Sequence, residues 1–279
     1  MIWLNGSLQP LETAAISPFD HGLTVGDGVF ETLIAEAGMP FAFTRHYERL
    51  VRSAGAMGLT VRPVEELREG CVALLQANAL EDQPARVRIT VTGGPAPLGS
   101  ERGSASETVV IAATPVAGFG ETADVVVVPY TRNERGALVG LKTTSYGENV
   151  VALAYAKERG GGEAIFGNTR GELCEGTGSN VFLVHEGALV TPPLESGCLA
   201  GVTRALVIEL CGTLGVPLRE ESVPLSALSE SPEAFLTSTT RDVQPIGEVD
   251  GVVLERAPGE ITATLRKEFL DWARREIDP

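Results

Sequence analysis

The chain is poor in lysine, histidine, cysteine and aromatic side chains. Its 279 residues include four cysteines and three histidines, and 5% are aromatic. The cysteines (Cys71, Cys174, Cys198 and Cys211) form no CxxC pair and the histidines are scattered, so no metal site is expected. Reduced thiols in the cytoplasm are the simplest reading. No run of about 18 apolar residues is present, which argues against a membrane-spanning helix. The opening Met1-Ile2-Trp3-Leu4-Asn5-Gly6 lacks a basic stretch leading into an apolar one, so no secretory signal is expected. Basic residues are also scarce, 22 against 37 acidic ones for a net charge of −15, and a surface of that sign repels nucleic-acid phosphate. Lys142, Lys157 and Lys267 are the only lysines, the other basic residues being arginine. A lysine within apolar sequence therefore stands out.

The pattern predicts an α+β chain in two lobes. Ile2–Leu4 and Val29–Ile34 read as strands, with a Gly26-Asp27-Gly28 turn before the second. Helical spacing of Tyr47, Leu50, Val51 and Ala54 predicts a helix over Thr44–Leu59 with Thr44 as its N-cap, and Leu67, Cys71, Leu74 and Leu75 predict another over Val64–Leu80. Strands are expected at Arg86–Thr92, Thr108–Ala113 and Asp124–Val128. The Gly-rich tract Pro115–Thr122 is aperiodic and separates strand-rich regions, which places a boundary between a smaller α+β domain, 1–118, and a larger one, 119–279. The second half reads as strands Ala164–Gly167, Asn180–Val184 and Ala234–Thr237 with helices Asn149–Arg159, Thr203–Leu214 and Ile261–Ile277. A Gly-rich dinucleotide fingerprint between a strand and a helix is lacking.

Five features could carry chemistry. Lys142 follows the apolar run Ala137–Leu141. Burial would lower its pKa and make its amine a nucleophile toward carbonyl carbon, whereas the structural alternative is a strand-end lysine reaching water. Glu175, in a Gly-rich turn leading into an apolar strand, could pair with a protonated ring nitrogen or be a solvated turn acid. Gly201-Val202-Thr203 opens a helix whose free N–H groups suit phosphate, or is an ordinary helix start. Arg49 lies one turn from His46 and suits a bidentate phosphate contact, or a salt bridge to an acid such as Glu66. Thr237-Ser238-Thr239-Thr240 offers consecutive hydroxyls to a carboxylate or phosphate, or is a plain turn. Together, an amine, a ring-nitrogen acid and several phosphate donors match what pyridoxal phosphate requires.

These residues carry a resemblance. Ser17-Pro-Phe-Asp-His-Gly22, Gly26-Asp-Gly-Val-Phe-Glu-Thr32, His46-x-x-Arg49-Leu50, the Lys142 segment, Glu175-Gly-Thr-Gly-Ser-Asn180, Leu199-Ala-Gly-Val-Thr203-Arg204 and Thr237–Thr240 occur in order along nearly the whole chain. The chain resembles the fold-type IV pyridoxal-phosphate enzymes: branched-chain aminotransferases, D-amino-acid aminotransferases and 4-amino-4-deoxychorismate lyases. The resemblance implies a two-lobed, D-amino-acid-aminotransferase-like fold and a homodimer in which partner loops line the pocket. It implies Lys142 as the Schiff-base lysine and proton shuttle, Glu175 on the pyridinium nitrogen and Tyr146 on the ring oxygen. Arg49, Val202, Thr203 and Thr239 would hold the phosphate.

The family's reactions share these residues and differ on the substrate side, where the substrate is a small amine-bearing molecule. Phe30-Glu31-Thr32 and the opening segment are more like the lyases, which release pyruvate from aminodeoxychorismate to leave 4-aminobenzoate for folate synthesis. That reaction is the first expectation. The alternative is an aminotransferase for D-amino or branched-chain amino acids with a keto-acid acceptor. Leu236–Asp242 is more like D-amino-acid aminotransferases, but those carry tyrosine where Phe30 stands and an arginine within the segment here reading Thr92–Pro97. Substrate contacts are accordingly expected from Phe30, Thr240, Arg241 and Arg102, each arginine being equally a surface residue.

Overall fold

A computed structural model describes residues 1–116 and 118–279. They form two units: Met1–Ala117 with Leu141–Tyr146 and Glu276–Pro279, and Gly118–Gly140 with Gly147–Arg275. The α+β class is observed. A single cut at 118/119 does not describe this division, because the segment bearing Lys142 and the last four residues pack with the first unit. Ala117, in the expected boundary tract, lies outside the described residues.

The first unit contains β1 (Ile2–Leu4), β2 (Ser7–Gln9), the one-turn helix α1 (His21–Thr24), β3 (Gly28–Glu36), β4 (Met39–Pro40), α2 (Phe43–Ala56), α3 (Val64–Ala77), β5 (Ala85–Thr92) and β6 (Thr108–Pro115). The strands make an antiparallel sheet in the order β2-β1-β6-β5-β3-β4. Along β5 the residues alternate, with Val87, Ile89 and Val91 buried and Arg86 and Arg88 exposed, as the two-residue period of a strand requires. The buried set joins Leu33 and Ile111 of the sheet to Leu50 of α2 and to Leu67 and Leu74 of α3 in one core.

Thr44 is not the cap of α2. The N-cap is Ala42, in left-handed backbone at φ 52° and with no side-chain cap. The capping carboxylate comes from the far end of the chain: Asp278 accepts from Thr44 N (2.8 Å) and from Thr44 Oγ1 (2.6 Å). A substitute cap 234 residues away leaves no trace in the local sequence.

The second unit contains β7 (Ala123–Arg132), α4 (Gly147–Lys157), β8 (Glu163–Asn168), β9 (Leu173–Gly176), β10 (Asn180–His185), β11 (Ala188–Thr191), α5 (Val202–Leu214), β12 (Leu218–Glu220), α6 (Ala227–Glu230), β13 (Ala234–Ser238), β14 (Asp242–Val249), β15 (Val252–Val253) and α7 (Glu260–Arg275). Its sheet runs β12-β11-β10-β13-β14-β7-β8-β9, with β15 on β14. It is mixed, β7 lying parallel to both β8 and β14. Every residue of β8 is buried, and Phe182 of β10 stacks on Phe235 of β13 at 4.8 Å between ring centres. No helix among the described residues is long and apolar enough to cross a membrane.

Candidate active site

Lys142 is held by backbone pairing. Phe30 N donates to Lys142 O (2.9 Å) and Thr144 N to Gly28 O (2.8 Å), so residues 142–144 extend the edge of β3. Lys142 N donates to Ser53 Oγ of α2 (3.3 Å). The approach requires glycine at 28, where a Cβ would stand 2.9 Å from Val91 O and 3.0 Å from Thr144 Oγ1. The preceding apolar run does not bury the lysine as expected. Leu138 is itself exposed, and Lys142 is half-buried.

The lysine side chain lies against Phe30, with Nζ 4.6 Å from the ring centre. Tyr146 meets the same ring edge-on at 5.4 Å, and the Arg88 guanidinium lies 3.7 Å from its centre. The first unit therefore gathers an amine, two aromatic rings and a guanidinium. Arg88 forms no ion pair among the described residues. The sequence reading passed over it, because what brings it beside Phe30 is strand register, Thr32 opposite Arg88 and Phe30 opposite Thr90.

Successive strand residues face opposite sides, so Glu31 turns away from Phe30 and toward α2. The buried stripe of α2 is partly polar, carrying His46, Arg49 and Ser53 alongside Phe43, Leu50 and Ala54. Glu31, fully buried, accepts from Arg49 Nε and Nη2 and from His46 Nδ1, each at 2.7 Å. Burial alone would raise the Glu31 pKa. The Arg49 guanidinium, helped by His46, outweighs it and holds the carboxyl well below the usual range. Burial lowers the His46 pKa against the pull of Glu31, and His46 Nδ1 is the donor in their bond, since a carboxylate can only accept. Arg49 thus has an acidic partner, but it is Glu31 and not Glu66, which pairs with Arg62 at 2.8 Å.

In the second unit Glu175, on β9, accepts from Leu199 N (2.9 Å) and has Arg132 Nε 3.5 Å from its other oxygen. Arg132, also missed in the sequence, lies over Phe166 at 4.2 Å. Leu199 leads into the N-terminus of α5, where Gly201 is the N-cap and makes no side-chain cap bond. A Cβ on Gly201 would stand 2.0 Å from Asn180 Oδ1, and Asn180 Nδ2 donates to Leu199 O (2.8 Å). Glu175 and the Val202-Thr203 helix start are therefore brought together by one short segment. Thr239 and Thr240 lie in the turn between β13 and β14.

The two arginines expected to meet a substrate carboxylate each have an acid beside them. Arg102 makes a bidentate pair with Asp27 (2.6 and 2.5 Å). Arg241 donates to Gln244 Oε1 (2.5 Å) and Gly162 O (3.2 Å), and pairs with Glu163 at 3.5 Å. The Ser17–Gly22 motif is structural: buried Asp20 caps Gly22 N (2.8 Å) and accepts from the hydroxyls of Thr92 (3.0 Å) and Thr108 (2.6 Å). Cys174 is a packing residue, its thiol buried, pushed up by that burial and donating to Ser196 O (3.3 Å).

Comparison with known proteins shows the family. The sequence profile of the amino-transferase class IV family matches residues 28–249. A Methanocaldococcus jannaschii protein provisionally named a branched-chain-amino-acid aminotransferase is 34% identical, over 97% of this chain and 95% of its own length. The aminodeoxychorismate lyase of Bacillus subtilis is 31% identical, over 95% and 92%. The crystal structure of a branched-chain aminotransferase from Thermoproteus uzoniensis superposes with a TM-score of 0.90 at 34% identity, covering 96% of this chain and 93% of that one. The chain belongs to the class IV aminotransferase family, whose members are pyridoxal-phosphate-dependent enzymes.

Proposed function

We propose that the protein is an aminotransferase acting on a branched-chain amino acid with a keto-acid acceptor. The observation that carries this reading is the set around Phe30: the Lys142 amine, the Tyr146 ring and the Arg88 guanidinium all lie against its ring, and Arg88 forms no ion pair among the described residues. A guanidinium so placed suits the carboxylate that an amino acid and a keto acid share, and the rings suit an apolar side chain. Similarity at 34% identity to proteins named as branched-chain aminotransferases supports the same choice.

The donor set fits pyridoxal phosphate. The helix start at Gly201, packed against Asn180 with no room for a Cβ, has no side-chain cap, and its N-terminal N–H groups suit an anion. Val202, Thr203, Thr239 and Arg49 would hold the phosphate, Arg49 with its guanidinium plane set by Glu31. Glu175, oriented by Leu199 N–H, would face the ring nitrogen, and Tyr146 the ring oxygen. Bound pyridoxal phosphate supplies an aldehyde for amine exchange and an electron-accepting ring. Lys142 would anchor it and then carry the proton from the substrate Cα at its Nζ. Phe30 excludes water from that amine, and Arg88 orients the substrate carboxylate. The reading includes a homodimer, which light scattering tests.

The lyase remains the second reading, supported by Phe30-Glu31-Thr32 and by 31% identity to the Bacillus subtilis enzyme. One experiment separates them. Purified protein loaded with pyridoxal phosphate is mixed with leucine, valine, D-alanine or aminodeoxychorismate. Loss of the visible band with leucine and its return with a keto acid support the aminotransferase. Pyruvate release from aminodeoxychorismate without such cycling overturns it. A Lys142→Ala variant is expected to lack the wild-type band.

A further inference from the structure

Glu163, the first residue of β8, is a buried acid to which the sequence reading assigned no role. Its carboxylate receives two loops. From the turn after Glu175, Thr177 N (3.1 Å) and the Thr177 hydroxyl donate to Oε1, and Ser179 Oγ donates to Oε2 (3.2 Å). From the turn after β13, Arg241 Nη2 stands 3.5 Å from Oε2 while also donating to the neighbouring Gly162 O (3.2 Å). The turn is shaped for this contact. A Cβ on Gly176 would stand 2.3 Å from Ser179 Oγ and 3.3 Å from Glu163 Cγ and Cδ, so only glycine lets the turn close over the carboxylate.

We infer that Glu163 is a positioning residue, one buried carboxylate that anchors together the turn following Glu175 and the turn carrying Thr239 and Thr240. A single rigid strand then sets the acid proposed for the ring nitrogen and the hydroxyls proposed for the phosphate. A carboxylate suits the task because it accepts several hydrogen bonds at once and donates none. Arg241 acts through it, as a tie between turns and not as a substrate contact. The inference rests on the reading that Glu175 and Thr239 hold the cofactor.

The test compares Glu163→Gln and Glu163→Ala with wild type by two readouts. One is backbone amide exchange of the cofactor-free protein over residues 175–180 and 238–242. The other is the dissociation constant for pyridoxal phosphate, from titration of its absorption band. The amide of Glu163→Gln keeps one acceptor oxygen for Thr177 and loses the charge that pairs with Arg241. It is therefore expected to speed exchange in 238–242 more than in 175–180, whereas Glu163→Ala speeds both. Cofactor affinity is expected to fall about 10-fold or more in Glu163→Ala, with partial recovery in Glu163→Gln, in line with the loss of charge-assisted hydrogen bonds. Unchanged exchange in both turns overturns the inference, as does faster exchange with unchanged affinity. If Glu163→Ala does not fold, Glu163→Gln decides by the same two criteria. Failure of wild type to bind pyridoxal phosphate overturns the cofactor assignment instead, and the exchange data still decide whether Glu163 anchors both turns.

Discussion

Replacing Glu31 with alanine tests the electrostatics of the first unit. Glu31 is wholly buried and accepts three bonds of 2.7 Å, two from Arg49 and one from His46. Arg49 is itself 5% exposed, so the substitution leaves a guanidinium out of water without its acid. Breaking a buried pair by removing one partner costs about 3–5 kcal/mol, a large part of the roughly 5–15 kcal/mol that holds a protein folded. With an m-value of about 3 kcal/mol per M, the urea midpoint should fall by about 1 M or more. The pH dependence has a definite sign. The Glu31 carboxyl is held below its ordinary range, so its stabilisation is fully present above the unfolded pKa of about 4.3 and fades as the pH falls toward the folded value. Urea curves of wild type and Glu31→Ala should therefore be far apart at pH 7 and draw together below about pH 4. A gap under about 1 kcal/mol at pH 7, or one that widens on acidification, refutes the argument.

Three further outcomes are expected. Asp278→Ala removes the carboxylate that caps α2 and should cost about 1 kcal/mol, read as a lowered melting temperature and faster exchange at the Thr44 amide. Gly201→Ala forces a Cβ to within 2.0 Å of Asn180 Oδ1, so pyridoxal-phosphate affinity should drop while the far-ultraviolet dichroism stays unchanged. Arg88→Met keeps much of the packing against Phe30 but removes the cation. It should raise KM for the amino acid about 10- to 100-fold with a smaller change in kcat, and an unaltered KM rejects Arg88 as the carboxylate contact.

The sequence by itself determined the periodic elements and the chemistry on offer. The two-residue alternation of Val87, Ile89 and Val91 and the helical spacing of Leu67, Cys71 and Leu74 mark β5 and α3, because each period must match one buried face. The ordered motifs around Lys142, Glu175 and Thr203 marked the family, since an amine, an acid and a phosphate cradle are legible as residue types. Only the tertiary structure decided how they are supported. Lys142 is placed by the edge of β3 and not by the apolar run before it. Arg49 pairs with Glu31 across 18 positions, Asp278 caps a helix 234 residues away, and Arg88 reaches Phe30 through strand register. Arg102 and Arg241 read in the sequence equally as substrate or surface arginines, and only the fold brings Asp27 and Glu163 beside them. The reason is physical: local periodicity records which face of an element is buried, whereas the partner of a buried charge is chosen by chain segments that meet only after folding.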